Sequence, residues 1–183
     1  MKTDARIRYT KMVIHNSFIR LLSEKPINKI TVKEVCEMSE INRATFYRYY
    51  KDPYDWLEQI ENTMLENAKA IIKTTDSKNV RDMLTHLLAG VRDNFPLIEV
   101  VVTKNGKDSH SDQFLQMCVN ETIKARKTKP EANSDSFDSM KEQFIIYGCS
   151  GAIRSWIESG METEPAEAAK NIEKMINNCE RIR

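Results

Sequence analysis

The chain has 183 residues, room for one compact unit or a small module joined to a larger one, and is 40% hydrophobic and 30% charged. That balance is too apolar for a disordered chain, and apolar runs such as Ile98 to Val102, broken by Glu99, are too short to span a membrane. Net charge is only +1, yet residues 1–51 hold eleven Lys/Arg against five Asp/Glu while the remainder is net acidic, so an anionic partner is expected at the N-terminal end.

In chain order, a first helix is predicted from about Arg6 to Ser23, with Ile14, Phe18, Leu21 and Leu22 on one face and Pro26 stopping it. Its charged approach, Lys2 to Arg6, predicts no signal peptide and hence a cytoplasmic chain. Lys2, Arg6, Arg8 and Lys11 read equally as a phosphate-binding arm or a solvated terminus. Thr31-Val32-Lys33-Glu34 is a capping box opening a short helix that buries Val32, Val35 and Cys36. Ser39-Glu40-Ile41 is the break, and Asn42 caps a third helix reaching about Tyr49. Asp52 caps a fourth, with Pro53 at its first position, where a missing N–H does no harm, running to about Lys73.

Beyond a linker at Thr74 to Asn79, a helix is predicted from about Val80 to Asn94, then a short apolar segment from Leu97 to Val102 opened by Pro96. A loop at Lys104 to Ser109 precedes a helix from about Ser111 to Lys127. The polar stretch Thr128 to Ser136 separates it from two last helices, Phe137 to Glu158, ended by Gly160, and Pro165 to Cys179. No strand pattern or repeat appears, and the expectation is an all-α chain of about nine helices.

The third helix carries the functional reading. Phe46 and Tyr50 can pack inward with Ile41, Val35 and Leu22, leaving Ala44, Thr45, Tyr47 and Arg48 on the other side and Arg43 at the leading end. Two short helices joined by a three-residue turn, the second exposing small, hydroxyl, aromatic and guanidinium groups, is helix-turn-helix anatomy. Arg donates bidentately to guanine, Thr can meet a base edge or a thymine methyl, and Ala permits close approach. Tyr47, Tyr49 and Lys51 suit phosphate oxygens, which position the helix without reading sequence.

The runs Ile30-Thr31-Val32-Lys33-Glu34-Val35-Cys36 and Ile41-Asn42-Arg43-Ala44-Thr45-Phe46-Tyr47-Arg48-Tyr49-Tyr50-Lys51 resemble the DNA-binding signature of TetR/AcrR-type transcriptional regulators, over about Arg6 to Leu57. The resemblance implies DNA contacts at Thr31, Arg43, Thr45, Tyr47, Tyr49 and Lys51. Two positions depart from the pattern: Glu40 stands where the turn usually has Gly, and Pro53 replaces the usual lysine. Tyr147-Gly148-Cys149-Ser150-Gly151 and Arg154 to Met161 resemble a C-terminal region of many such regulators. The implied organisation is a DNA-binding domain at 1–51 and a ligand-binding and dimerisation domain at 52–183, with 52–73 as the connecting helix.

Met64, Leu84, Phe95, Phe114, Met117, Phe144, Tyr147 and Trp156 are core residues or, as the resemblance implies, candidates to line a ligand cavity. Tyr147 and Trp156 rank first, because their polar tips can orient an apolar ligand. Sensing is expected wholly beyond residue 73. Ala169, Ile172, Ile176 and Cys179 repeat at helical spacing; with Ile145, Ile153 and Ile157 they are expected to form a homodimer seam, against the alternative of packing on the chain's own core.

The four cysteines and three histidines are scattered without ligand spacing, so no metal or cofactor is expected. No nucleophile–base motif, phosphate loop or paired Glu–His motif supports a helical-bundle enzyme. The partners expected are a double-stranded DNA operator, a second copy and an unidentified small-molecule effector, with no membrane. The competing reading is a co-regulator acting through another protein, its direct DNA binding weakened by Glu40 and Pro53.

Overall fold

The computed structural model describes residues 2–75, 79–99, 102, 110–126 and 136–181, with the side chains of 2–3, 110–114 and 125–126 excepted. The predicted loop at 104–109, the stretch 128–135 and most of the linker before Asn79 lie outside the described residues, as does the Phe114 side chain. Among the described residues the regular structure is entirely helical. The elements are α1 (Lys2–Glu24), a 3-10 turn (Ile27–Lys29), α2 (Val32–Met38), α3 (Arg43–Tyr47), α4 (Pro53–Thr74), α5 (Val80–Asp93), α6 (Phe95–Glu99), α7 (His110–Arg126), α8 (Ser136–Glu158) and α9 (Pro165–Glu180).

Capping chemistry sets several boundaries. Thr31 Oγ1 accepts from the Glu34 amide while the Glu34 carboxylate accepts from the Thr31 amide, completing the capping box. Asn42 accepts from the Thr45 amide at 2.8 Å and Asp52 from the Asp55 amide at 2.9 Å, each satisfying a donor that the first helical turn leaves open. The third helix is shorter than expected: it ends at Tyr47, and both Tyr49 and Tyr50 donate their amides to the Phe46 carbonyl in the turn that follows. The 3-10 turn after Pro26 has no counterpart among the predicted elements. At the end of α8, Gly160 and Met161 both take positive φ (77° and 56°), and the Met161 amide closes on the Trp156 carbonyl at 2.9 Å.

Two apolar clusters organise the chain. The first gathers Ile14, Phe18, Leu21 and Leu22 of α1 with Val35, Phe46 and Tyr50, and takes in Trp56 and Leu57 from the start of α4. Phe18 stacks on Trp56 with ring centroids 4.2 Å apart, so α4 is rooted in this cluster. The Trp56 indole N–H finds no acceptor among the described residues, so burial and ring contact hold it. The second cluster joins α5 to α9 through Leu84, Leu88, Ile98, Val119, Ile153, Ile157 and Ile172. Ion pairs Arg81–Glu173 and Arg92–Glu164, both 2.6 Å, tie α5 to α9 and to the residue before it.

The residues expected to form a dimer seam are packed inside the protomer instead. Ile157 is 1% and Ala169 0% exposed; Ile145, Ile153, Ile172 and Ile176 are buried with them, and Cys179 packs against the same cluster. The physical reason is that the apolar stripe of α9 meets α5 and α8 of its own chain. Side chains already buried have no surface to offer a partner.

Candidate nucleic-acid interface and ligand cavity

The fully buried Phe46 fixes the rotation of α3, wedged near Phe18 (6.2 Å between centroids) and Tyr50 (5.8 Å). With that face inward, Arg43, Ala44, Tyr47 and Arg48 emerge together on the solvent side, at the i, i+1, i+4, i+5 positions of one helical face. Tyr47 is 56% exposed, its ring edge-on to Phe46. Lys51 and Thr31 are exposed as well, whereas Thr45 and Tyr49 are half-buried. Lys11 of α1 sits 5.8 Å from the centre of the Tyr49 ring, which brings one of the N-terminal cations to the same end of the module.

The turn before α3 runs through Glu40 at φ 53°, the left-handed region that favours glycine. The Ile41 amide returns to the Cys36 carbonyl at 3.1 Å, so α2 closes tightly despite the unfavourable residue. Beneath it, Lys25 pairs with Glu34. That contact, helped by the Thr31 hydroxyl and amide, holds the Glu34 carboxyl well down, to about 2. Thr31 therefore has its hydroxyl committed to Glu34 at 2.8 Å in the free protein.

Besides the Phe18–Trp56 stack, three contacts join this module to α4. The Lys51 amide donates to the Asp55 carboxylate at 2.7 Å, and that bond, with one from Gln59, holds the Asp55 carboxyl below its usual range. Gln59 also donates to the Tyr49 carbonyl. His15 of α1 lies 5.6 Å from Trp56, ring to ring.

A cavity of about 360 Å³ lies between the helices. One stripe of α4, Ile60, Thr63, Met64, Asn67, Ala68 and Ile71, forms a wall, faced by Leu84, Leu88 and Val91 of α5. Leu115, Cys118 and Val119 of α7 and Ile153 and Ile157 of α8 close it, and His15 reaches it from α1. Burial pushes the Cys118 thiol up to about 12, so this wall carries no thiolate at neutral pH. Carboxylates gather instead beside a smaller neighbouring cavity, at Asp138, Glu142 and Glu180.

The predicted pocket residues divide. Met64 and Leu84 line the cavity. Met117, Phe144 and Tyr147 are exposed on the outer faces of α7 and α8, and Phe95 packs on the second cluster without lining the cavity. Trp156 is buried elsewhere, its indole N–H donating to the Thr163 carbonyl at 2.8 Å. This cavity is not confined to residues beyond 73: Ile60 to Ile71 of α4 and His15 of α1 are part of its wall. His15 was missed because nothing in its local spacing marks it; only the docking of α1 against α4 brings it there.

The outer face of α8 shows a second unforeseen feature. Met140 is 68%, Phe144 67% and Tyr147 57% exposed, continuing the line of Phe137, with Gly148 and Gly151 on the same open side. A Cβ at either glycine would meet nothing within 4 Å. The signal was present: α8 is apolar on both sides, which implies two covered faces.

Residues 78–178 match a TetR-type family model described as transcriptional regulator C-terminal region. No curated protein matches the sequence. Among solved structures, a TetR transcriptional regulator from Streptococcus agalactiae 2603V superposes with a TM-score of 0.68 at 20% identity, over 96% of this chain and 98% of that one. The dihydroxyacetone kinase operon activator DhaS superposes with a TM-score of 0.58 at 17% identity, over 92% and 94%. At these identities both show likeness of fold.

Proposed function

The chain belongs to the TetR family of transcriptional regulators, and we propose that it binds a near-palindromic operator as a cytoplasmic homodimer and is released by a small-molecule effector. The observation that carries the reading is the exposed Arg43–Ala44–Tyr47–Arg48 face, held rigidly by Phe46 at the basic end of the chain. Arg43 and Arg48 offer the forked donors that read guanine, and Ala44 lets the helix approach the groove floor. Tyr47, Tyr49, Lys51 and Thr31 are assigned to phosphates, with Thr45 half-buried behind them.

Two reading heads are needed for a two-fold site whose half-sites lie roughly 34–36 Å apart. The line Phe137, Met140, Phe144 and Tyr147 on α8 is assigned to the interface between copies, in place of the buried residues of α8 and α9. It is the exposed apolar face that monomers of this size rarely leave open. The effector is assigned to the cavity bounded by α4, α5 and α7. Because α4 lines that cavity and grips the module through Gln59 and Trp56, a ligand that changes its tilt would change the separation of the heads.

The test is selection of bound fragments from genomic DNA by the purified protein, followed by titration at increasing salt. Sequence-specific binding that weakens steeply with salt is expected. Equal retention of scrambled DNA, or no binding at low salt, would favour a co-regulator acting through another protein. The exposed carboxylate of Glu40 on the DNA-facing turn is the observation behind that second reading.

A further inference from the structure

We infer that the cavity takes an uncharged, mainly apolar ligand, and that His15 of the DNA-reading module itself touches it. The inference rests on the reading of this cavity as the effector site and adds the chemistry of the ligand.

Charge is the first argument. Among the described residues lining the cavity there is no Asp, Glu, Lys or Arg. Burial lowers the His15 imidazole below its ordinary value, so at neutral pH that group is uncharged as well. An ion entering such a wall would give up water with no opposite charge to replace it.

Hydrogen bonding is the second argument. The hydroxyls of Thr63 and Thr122 donate to their own helices, to the Gln59 carbonyl at 2.8 Å and the Cys118 carbonyl at 2.9 Å. The Asn94 amide likewise donates to the Gly90 carbonyl at 2.8 Å. With those hydroxyl hydrogens committed, the two threonines offer a ligand acceptor lone pairs, while the second amide hydrogen of Asn94, the Asn67 amide and the ring N–H of neutral His15 supply donors. A few polar atoms on a ligand, donor or acceptor, can therefore be met without charge.

Space is the third. Gly90 sits inside α5 on the cavity wall, where glycine costs about 1 kcal/mol relative to alanine. A Cβ there would meet only Ile71 Cδ1, at an ordinary 3.7 Å, so helix packing does not demand glycine; its effect is to leave the wall open. A dry cavity of roughly 150 Å³ holds benzene, and this one is large enough for a molecule with two or three rings.

His15 gives the site a direct line to the DNA module. Its ring contacts Trp56, which stacks on Phe18 of the cluster that seats α3. A ligand pressing on His15 therefore bears on α1 and on the root of α4 together.

The experiment titrates the full-length protein, without DNA, with two fluorescent probes of one skeleton. N-phenyl-1-naphthylamine is uncharged with one N–H; 8-anilino-1-naphthalenesulfonate adds a sulfonate. One site per chain is expected for the first, at least about tenfold tighter than for the second. Gly90→Leu, which adds side chain to the cavity on a helix it favours, should weaken the amine at least about tenfold, and His15→Ala about fivefold. Equal or preferred binding of the sulfonate, or no saturable binding of the amine, overturns the ligand class. Unchanged amine binding in His15→Ala, with loss in Gly90→Leu, overturns the role of His15. Failure of operator recognition with the dye results as expected would sink the proposed function and leave this inference supported. An operator-binding protein that takes only the sulfonate would overturn this inference alone.

Discussion

The side-chain amide of Gln59 donates to the main-chain carbonyl of Tyr49 at 3.3 Å, across ten residues of sequence. It clamps the turn after α3 to the second turn of α4, and the same amide also reaches Asp55 at 3.3 Å. Gln59→Leu keeps the size of the side chain and removes both bonds. Loss of about 1 kcal/mol of stability is expected, with weaker DNA binding, because the reading helix loses its tether to the long helix. Thermal denaturation and an electrophoretic shift assay on the same sample check it; unchanged DNA affinity would remove Gln59 from the path between cavity and module.

Arg43→Ala should reduce operator affinity by about 1–3 kcal/mol and relax the preference for one base pair in each half-site. Lys51→Ala should instead weaken all sequences alike and lower the salt slope. Both side chains are exposed, so melting temperatures should stay close to wild type. Equal losses on specific and scrambled DNA for Arg43→Ala would contradict a base-reading role.

Glu40 occupies a left-handed position with its side chain in solvent. Glu40→Gly should stabilise the protein by about 1 kcal/mol, by relieving the backbone, and strengthen DNA binding by removing a negative charge from the approaching face. Denaturant melts and DNA titrations at two salt concentrations separate the two effects, since only the second is screened.

Glu34 supplies a pH dependence of known sign. Its folded carboxyl is lowered to about 2 from an ordinary 4.5 by Lys25 and Thr31. The contribution is therefore complete above 4.5 and lost as pH falls toward 2. Glu34→Gln should be less stable than wild type at pH 7, with the gap closing between pH 4.5 and 2. A gap of constant size across that range would show that the ion pair and capping box do not act through the charge.

Two aromatic positions on α8 distinguish assembly from folding. Phe144→Glu should leave the melting temperature of the protomer nearly unchanged and shift light scattering toward monomer, since the ring is exposed. Trp156→Ala should cost about 3–5 kcal/mol of stability, because its ring is buried and its N–H bonded to Thr163. A folded Phe144→Glu dimer at micromolar concentration would remove the α8 face from the interface.

The local chemistry of the N-terminal third was legible in the amino-acid sequence alone. The Thr31–Glu34 box, the Asn42 and Asp52 caps and the inward pairing of Phe46 with Tyr50 each depend on residues within four positions of one another. Helical periodicity likewise marked the larger helices and the all-helical fold, because each helix shows its apolar stripe without reference to its neighbours.

What lies against each stripe was decided only by tertiary packing. The apolar face of α9 reads the same whether it covers a partner or its own α5, and the structure seats Ala169 and Ile172 on the latter. Phe144, Tyr147 and Trp156 share one helix and similar chemistry, yet the rotation of α8 exposes the first two and buries the third. His15 reaches the cavity because α1 docks beside Trp56, 41 positions along the chain. Periodicity identifies a face and capping identifies an end, both local properties of the chain; which faces meet is settled by the free energy of burying all of them at once.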